Sequence, residues 1–259
     1  MTICTSVKVR DGLVLGTDSM TQIWGQDDQG NRFPVKNYAN ARKLFQIGKL
    51  PIGVMTHGLG NIGPRSVYGF LRDFSLRYTE ESNISEIDVE SVARELYKFI
   101  AQAYDEQFGD GPKALLGFFI AGYSSDTSFP EEWEFQLPHD QEIRQVRPIT
   151  QFGASWRGIV PPFTRLYQGY DPRIMEELKK LNVSEEVINV LSKYVSPIVY
   201  DGMPVQDAVN FAVFILQTTI GVATFEIGTP SCGGPLQIAT ILPEKGFCWV
   251  KEPILAVVV

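Results

Sequence analysis

Residues 1–19, MTICTSVKVRDGLVLGTDS, decide how this chain is read. Residues 3–9 alternate, residues 13–17 are apolar-rich, and Arg10, Asp11 and Gly12 stand between them, the pattern of a β-hairpin. A first strand that opens at Ile3 leaves almost no loose chain ahead of it and puts Thr2 at its start. Opposed residues of an antiparallel pair share a face, so loop length decides which side chains meet. A loop of Asp11 and Gly12 alone sets Asp18 on the face of Thr5, away from Thr2. A loop of Arg10, Asp11 and a left-handed Gly12 sets Asp18 with Thr2 and Cys4. The second register is preferred, because it gathers Ile3, Val7, Val9, Leu13 and Leu15 on one face. Thr2, Cys4, Ser6, Lys8 and Asp18 then take the other, giving the one-sided core of a sheet with one wet face.

Further along, KLFQI and PIGVMT read as short strands, and residues 24–41 as a polar stretch before them. Apolar spacing of 3, 4 and 7 predicts helices through Val67, Phe70, Leu71 and Phe74 and through Val89, Val92, Ala93, Leu96 and Ile100. KALLGFFIAGY, EEWEFQL and IRQVRPITQFG continue as strands, residues 161–197 and 204–219 as helices, with Pro204 at a first helical position. PLQIATILP, GFCWVK and ILAVVV close the chain, the last as a core or boundary strand. Strands in groups, separated by two helical blocks, imply an α+β domain over residues 1–259 with stacked antiparallel sheets covered by helices.

Composition narrows the function. With 44% hydrophobic and 20% charged residues the chain can bury a sizeable core, and its net charge of -7 speaks against nucleic acid or an anionic membrane as partner. Three cysteines without paired spacing and only two histidines argue against a disulfide framework or a histidine metal site, and fit a reducing compartment. No leader pattern opens the chain, and residues 208–225 hold Asn210, Gln217 and threonines, so they read as a buried helix and the expected location is cytoplasmic.

A threonine hydroxyl needs a base, and an N-terminal threonine carries one, since its α-amine titrates at about 7.7–8.0. Loss of Met1 would create that arrangement at Thr2. Thr2, the strand–DG–strand hairpin ending in Asp18 and Ser19, Lys43 opening KLFQI, and the HGLG segment together resemble proteasome β-type subunits and their bacterial relatives, the threonine branch of the N-terminal-nucleophile hydrolases. The resemblance is specific over residues 2 to about 75 and implies a four-layer αββα fold. It further implies a threonine peptidase with Thr2 as nucleophile, Lys43 as a cation beside it, Asp18 holding Lys43, and a backbone N–H of Gly58 or its neighbour facing the oxyanion. An extended peptide or unfolded protein would lie along Thr21, Thr56 and Gly60. No metal or organic cofactor is implied, a homo-oligomer is, and an ATPase partner is left open.

The family's Gly-Ser-Gly turn is matched only by QFGASWRG, which makes Ser155 the candidate serine or Ala154 its replacement. The acidic residue before its Ser-Gly-Gly is matched by Thr229 in IGTPSCGGP, with Ser231 or Cys232 in the serine's place. The long run between Asp18 and Lys43 exceeds the family's spacing. Two other hydrolase-fold readings use the same residues: a catalytically silent assembly protein, and a small-amide hydrolase with Cys4 as nucleophile. GLGNIG also fits a dinucleotide fingerprint, but a second helix follows where a parallel strand should stand.

Overall fold

A computed structural model describes residues 2–81 and 86–253. Two five-stranded sheets dominate, and every strand pairing among the described residues is antiparallel. In the first sheet the order is β12 (Gly153–Gly158), β1 (Ile3–Val9), β2 (Gly12–Thr17), β13 (Gln237–Leu242), β14 (Gly246–Lys251). In the second it is β11 (Arg144–Gln145), β10 (Glu131–Leu137), β9 (Leu116–Gly122), β6 (Ile52–Gly58), β5 (Leu44–Gln46). Two hairpins stand outside both: β3 (Thr21–Gln26) with β4 (Arg32–Tyr38), and β7 (Asn61–Ile62) with β8 (Arg65–Ser66). With all pairings antiparallel, the turn after β6 belongs to no βαβ unit, which removes the dinucleotide reading of GLGNIG.

The register of the first hairpin differs from both expected alternatives. The turn is Arg10–Asp11, Gly12 pairs with Val9, and Cys4 faces Thr17. Leu13 and Leu15 therefore share the face of Cys4, Ser6 and Lys8, not that of Ile3 and Val7. The expectation assumed one wet face, yet every residue of β1 and β2 is buried. Ile3, Val7, Val9 and Val14 pack against α6 (Val205–Phe225), whereas Cys4, Leu13 and Leu15 meet Leu44, Met55 and Phe119 of the second sheet. A strand covered on both faces carries no polar side from which to read its register. Gly12 serves close packing rather than a left-handed turn, for a methyl there would meet Leu242 Cδ2 at 2.7 Å and Ile241 O at 3.2 Å.

The outer face of the second sheet is closed by α1 (Val67–Glu81) and α2 (Val89–Phe108). Asp88 caps α2 by accepting the N–H of Glu90 and Ser91, and Val89, Val92, Ala93, Leu96, Ile100 and Tyr104 make its buried stripe. The helical block expected over 161–197 breaks into α3 (Pro161–Gln168), α4 (Ile174–Lys180), α5 (Glu185–Leu191) and a short 3-10 turn, Ser192–Tyr194. Left-handed Gly169 ends α3, and left-handed Asn182 separates α4 from α5. Pro204 is the residue before α6 rather than its first, and the helix runs on to Phe225. Although long and apolar enough to cross a membrane, α6 turns Ala208, Ala212, Ile215, Leu216 and Thr219 onto the first sheet.

Two other expectations change. The polar stretch 24–41 holds most of the β3–β4 ribbon, closed by Asp27, whose Oδ1 accepts the N–H of Gln29 and Asn31. IRQVRPITQFG is not one strand: Arg144–Gln145 ends at once, Pro148 interrupts, and a new strand opens at Gly153 to lie beside β1. ILAVVV lies outside the described residues.

Candidate active site

Thr2 sits just ahead of β1, buried, with its carbonyl accepting the Ile159 N–H at 2.8 Å. Gly158, at φ +86°, makes that approach possible: a methyl on it would lie 1.9 Å from Thr2 O. The turn that holds Thr2 is thus Arg157–Gly158–Ile159 at the end of β12, and it offers a backbone N–H and an isoleucine. Ser155 lies further down the same strand, opposite Ser6, and is absent from the cavity lining; its Oγ accepts from Arg147 Nη2.

Asp18 follows the last residue of β2, beyond the regular ladder, so strand alternation no longer fixes its side chain. Its Oδ1 accepts Lys43 Nζ at 2.8 Å and the Ile3 N–H at 3.2 Å, while Oδ2 accepts the N–H of Gly233 at 3.0 Å and of Met20 at 3.2 Å. The carboxylate thereby links Lys43 to the peptide group that joins Thr2 to Ile3. Asp18 is fully buried and Lys43 is 8% exposed. Burial pushes the Lys43 ammonium below its usual range, opposed by the charge and hydrogen bond of Asp18.

Lys43 is positioned by its own backbone. Its N–H and that of Leu44 both donate to Gln237 Oε1, at 3.1 and 3.2 Å, and Gln237 Nε2 donates to Ala41 O at 2.7 Å. Its carbonyl accepts the Thr56 N–H at 3.0 Å. Gln237 escaped the sequence reading; a single amide opening the apolar run QIATIL is its only mark. IGTPSCGGP acts on the site through the Gly233 N–H, and Thr229, in the place of the expected carboxylate, is exposed. Ser19 Oγ lies 2.6 Å from the carbonyl oxygens of both Ala39 and Pro235, closing the turn after Asp18.

A cavity of about 660 Å³ opens on this constellation. Its lining includes Thr2, Thr21, Lys43, Thr56, Gly58 and Gly60, so the nucleophile, cation and substrate candidates named from sequence meet in one place. Gly58 takes φ +89°, and a methyl there would lie 2.2 Å from Leu115 O. The neighbouring Leu59 N–H is already bound to that oxygen at 2.9 Å, so it is not free to face an oxyanion. His57, missed in the sequence, also lines the cavity; its ring covers Gly117, and burial, aided by the charge of Arg157, pushes it down to about 4. Cys4 is buried inside β1 and its thiol is pushed up to about 12 by that burial, which leaves it protonated and a poor nucleophile. Among the described residues no three His, Cys, Asp or Glu side chains gather to hold a metal ion.

Comparison with known proteins bears on the scaffold. Anbu (ancestral beta-subunit) from Yersinia bercovieri matches 96% of this chain and 87% of its own, with a TM-score of 0.55 and 13% sequence identity. The fold is shared with Anbu. At this identity the match speaks for the fold alone, and it agrees with the coarser expectation of antiparallel sheets and helices in one mixed fold. No family model matches the chain, and no curated protein does.

Proposed function

We propose that this chain is a threonine peptidase, one domain in an αββα arrangement of the proteasome β type, acting in the cytoplasm as part of a homo-oligomer. The observation that carries the reading is the buried Asp18–Lys43 pair: Asp18 accepts the N–H of the Thr2–Ile3 peptide group, and Lys43 lines the same cavity as Thr2. A shared fold with a protein named a beta-subunit supports it.

Removal of Met1 leaves the amine of Thr2 as base. That amine takes the Oγ proton as Oγ bonds to the substrate carbonyl carbon, while the Lys43 ammonium favours the developing alkoxide. A backbone N–H at Gly58 faces the oxyanion. The C–N bond then breaks, the leaving nitrogen receives the proton from the amine, and an ester on Thr2 remains. Water then bonds to the acyl carbon and gives its proton to the same amine; the acyl C–Oγ bond breaks, Oγ takes that proton back, and the acid leaves.

The absence of a hydroxyl at the Gly158–Ile159 turn supports a second reading, a silent assembly protein of the same fold. Intact mass of the purified protein and turnover of a fluorogenic peptide separate the two. Loss of Met1 alone, with turnover abolished in Thr2→Ala, is the expected result. Equal turnover in wild type and Thr2→Ala removes the mechanism, and no turnover in a protein that has lost Met1 favours the silent reading.

A further inference from the structure

The cavity at Thr2 differs in charge from the chain around it. The protein carries a net charge of -7, yet no aspartate or glutamate stands in the cavity lining, where Arg42 and Lys43 do. Asp18, bound behind the wall, balances Lys43. His57, pushed down to about 4, adds no charge near neutral pH. Arg42 is left as the unbalanced ion of the lining, since among the described residues no carboxylate pairs with it.

Its guanidinium is held from two sides. The guanidinium carbon lies 5.5 Å from the centre of the Tyr68 ring, Nη1 donates to the Tyr68 hydroxyl at 3.3 Å, and Nη2 donates to Pro253 O at 3.5 Å. Tyr68 also lines the cavity, and Phe45 meets its ring edge-on with centres 5.5 Å apart. These contacts orient the cation without neutralising it. A guanidinium has five N–H donors, of which they engage two, so a fork remains for a planar carboxylate.

We propose that Arg42 is a specificity-determining residue, selecting substrates with an aspartate or glutamate side chain next to the cleaved bond. The inference rests on the peptidase reading and adds a substrate class to it. Arg42 directly precedes Lys43, and consecutive Cα atoms are about 3.8 Å apart, so a carboxylate bound by Arg42 belongs to a residue close to the attacked carbonyl. A basic side chain at that place meets like charge and is disfavoured. Arg42 is exposed, so water and salt screen the attraction and hold the preference to about tenfold.

Internally quenched peptides, alike but for Glu, Gln or Lys at one residue flanking the cleaved bond, test this. Wild type is expected to show kcat/KM for Glu about tenfold above Gln, with Lys lowest, and the Glu advantage should shrink as salt rises. Arg42→Gln should bring the Glu-to-Gln ratio to about one, and Arg42→Glu should reverse the order of Glu and Lys. A general loss of folding or activity lowers all three peptides alike and leaves the ratios standing. Tyr68→Ala, which removes the support of the guanidinium, should lower the Glu-to-Gln ratio part of the way. The same peptides, labelled and titrated against Thr2→Ala protein by fluorescence anisotropy, should bind in the same order. No preference for Glu in turnover or affinity, or a preference that survives Arg42→Gln, overturns the assignment whether or not peptides are cleaved. A Glu preference in affinity that Arg42→Gln abolishes, in a protein that has lost Met1 and cleaves none of the peptides, sinks the peptidase reading and leaves Arg42 as a carboxylate-binding residue.

Discussion

Two clusters of buried charge bridge the same pair of sheets, one near each end of β1. Near Thr2, Asp18 meets Lys43. Toward the other end, Glu132 Oε1 accepts from Ser6 Oγ at 2.5 Å, Glu132 Oε2 pairs with Arg147, Arg147 reaches Ser155, and Lys8 Nζ donates to Ile149 O at 2.6 Å. Both take ions out of water, which costs several kcal/mol per ion before partners offset it. Lys43 of the first lines a cavity together with Thr2, whose amine the proposed loss of Met1 would free. Burial of charge by itself therefore marks architecture, and access beside Thr2 is what the proposed chemistry adds.

The sharpest way to break this contrast is to neutralise one member of each cluster. Lys43→Met is expected to cut kcat/KM for a fluorogenic peptide by about a hundredfold or more. Glu132→Gln should leave kcat/KM within about threefold while lowering stability in urea by about 3–5 kcal/mol, because Arg147 is left buried without its counter-charge. If Glu132→Gln silences turnover as Lys43→Met does, the two ends are not functionally distinct.

Next comes the turn at the open end. Gly158→Ala places a methyl on Thr2 O in left-handed backbone, so unfolding should show a loss of about 2–4 kcal/mol and turnover should fall at least about tenfold. A well-folded, fully active Gly158→Ala protein would mean that Thr2 is not held from that side.

His57 gives a smaller, pH-dependent effect. Its ordinary value of 6.5 falls to about 4 in the folded chain, so between these values the unfolded chain takes up a proton that the folded chain refuses. Stability should therefore fall as pH drops from 6.5 to 4, by about 3 kcal/mol from this residue. Denaturant titrations across that range, repeated on His57→Asn, should show the slope flatten. An unchanged slope would remove the buried neutral imidazole from the account.

The smallest effect is expected at Ser155, which the geometry groups with the closed cluster. Ser155→Ala should cost about 1 kcal/mol and change turnover by less than about twofold. Loss of turnover there would move Ser155 back to the nucleophile.

What could be read from the sequence follows from how local the signal was. Thr2, Asp18 and Lys43 stand at the ends of strands bounded by a hairpin and by KLFQI; Thr2 and Lys43 do line one cavity, with Asp18 bound to Lys43 behind it. The register was out of reach because β1 and β2 are buried on both faces and so lack a polar side. Gly158 and Ile159 touch Thr2 across more than 150 residues of chain, and nothing in RGIV announces a left-handed glycine. QFGASWRG was matched to the Gly-Ser-Gly turn of the resembled family, whereas its residues Gly153–Gly158 form a strand against β1. The ribbon at 21–38 was hidden by Pro34, a bulge, and apolar side chains spread over both of its faces.

Asp18 takes its four hydrogen bonds from residues 3, 20, 43 and 233. A ribosome must therefore deliver almost the whole chain before the fourth donor exists. Until then the lysine has no fully anchored counterion, so under the proposed reading a half-made polypeptide carries no finished blade with which to harm itself or its neighbours.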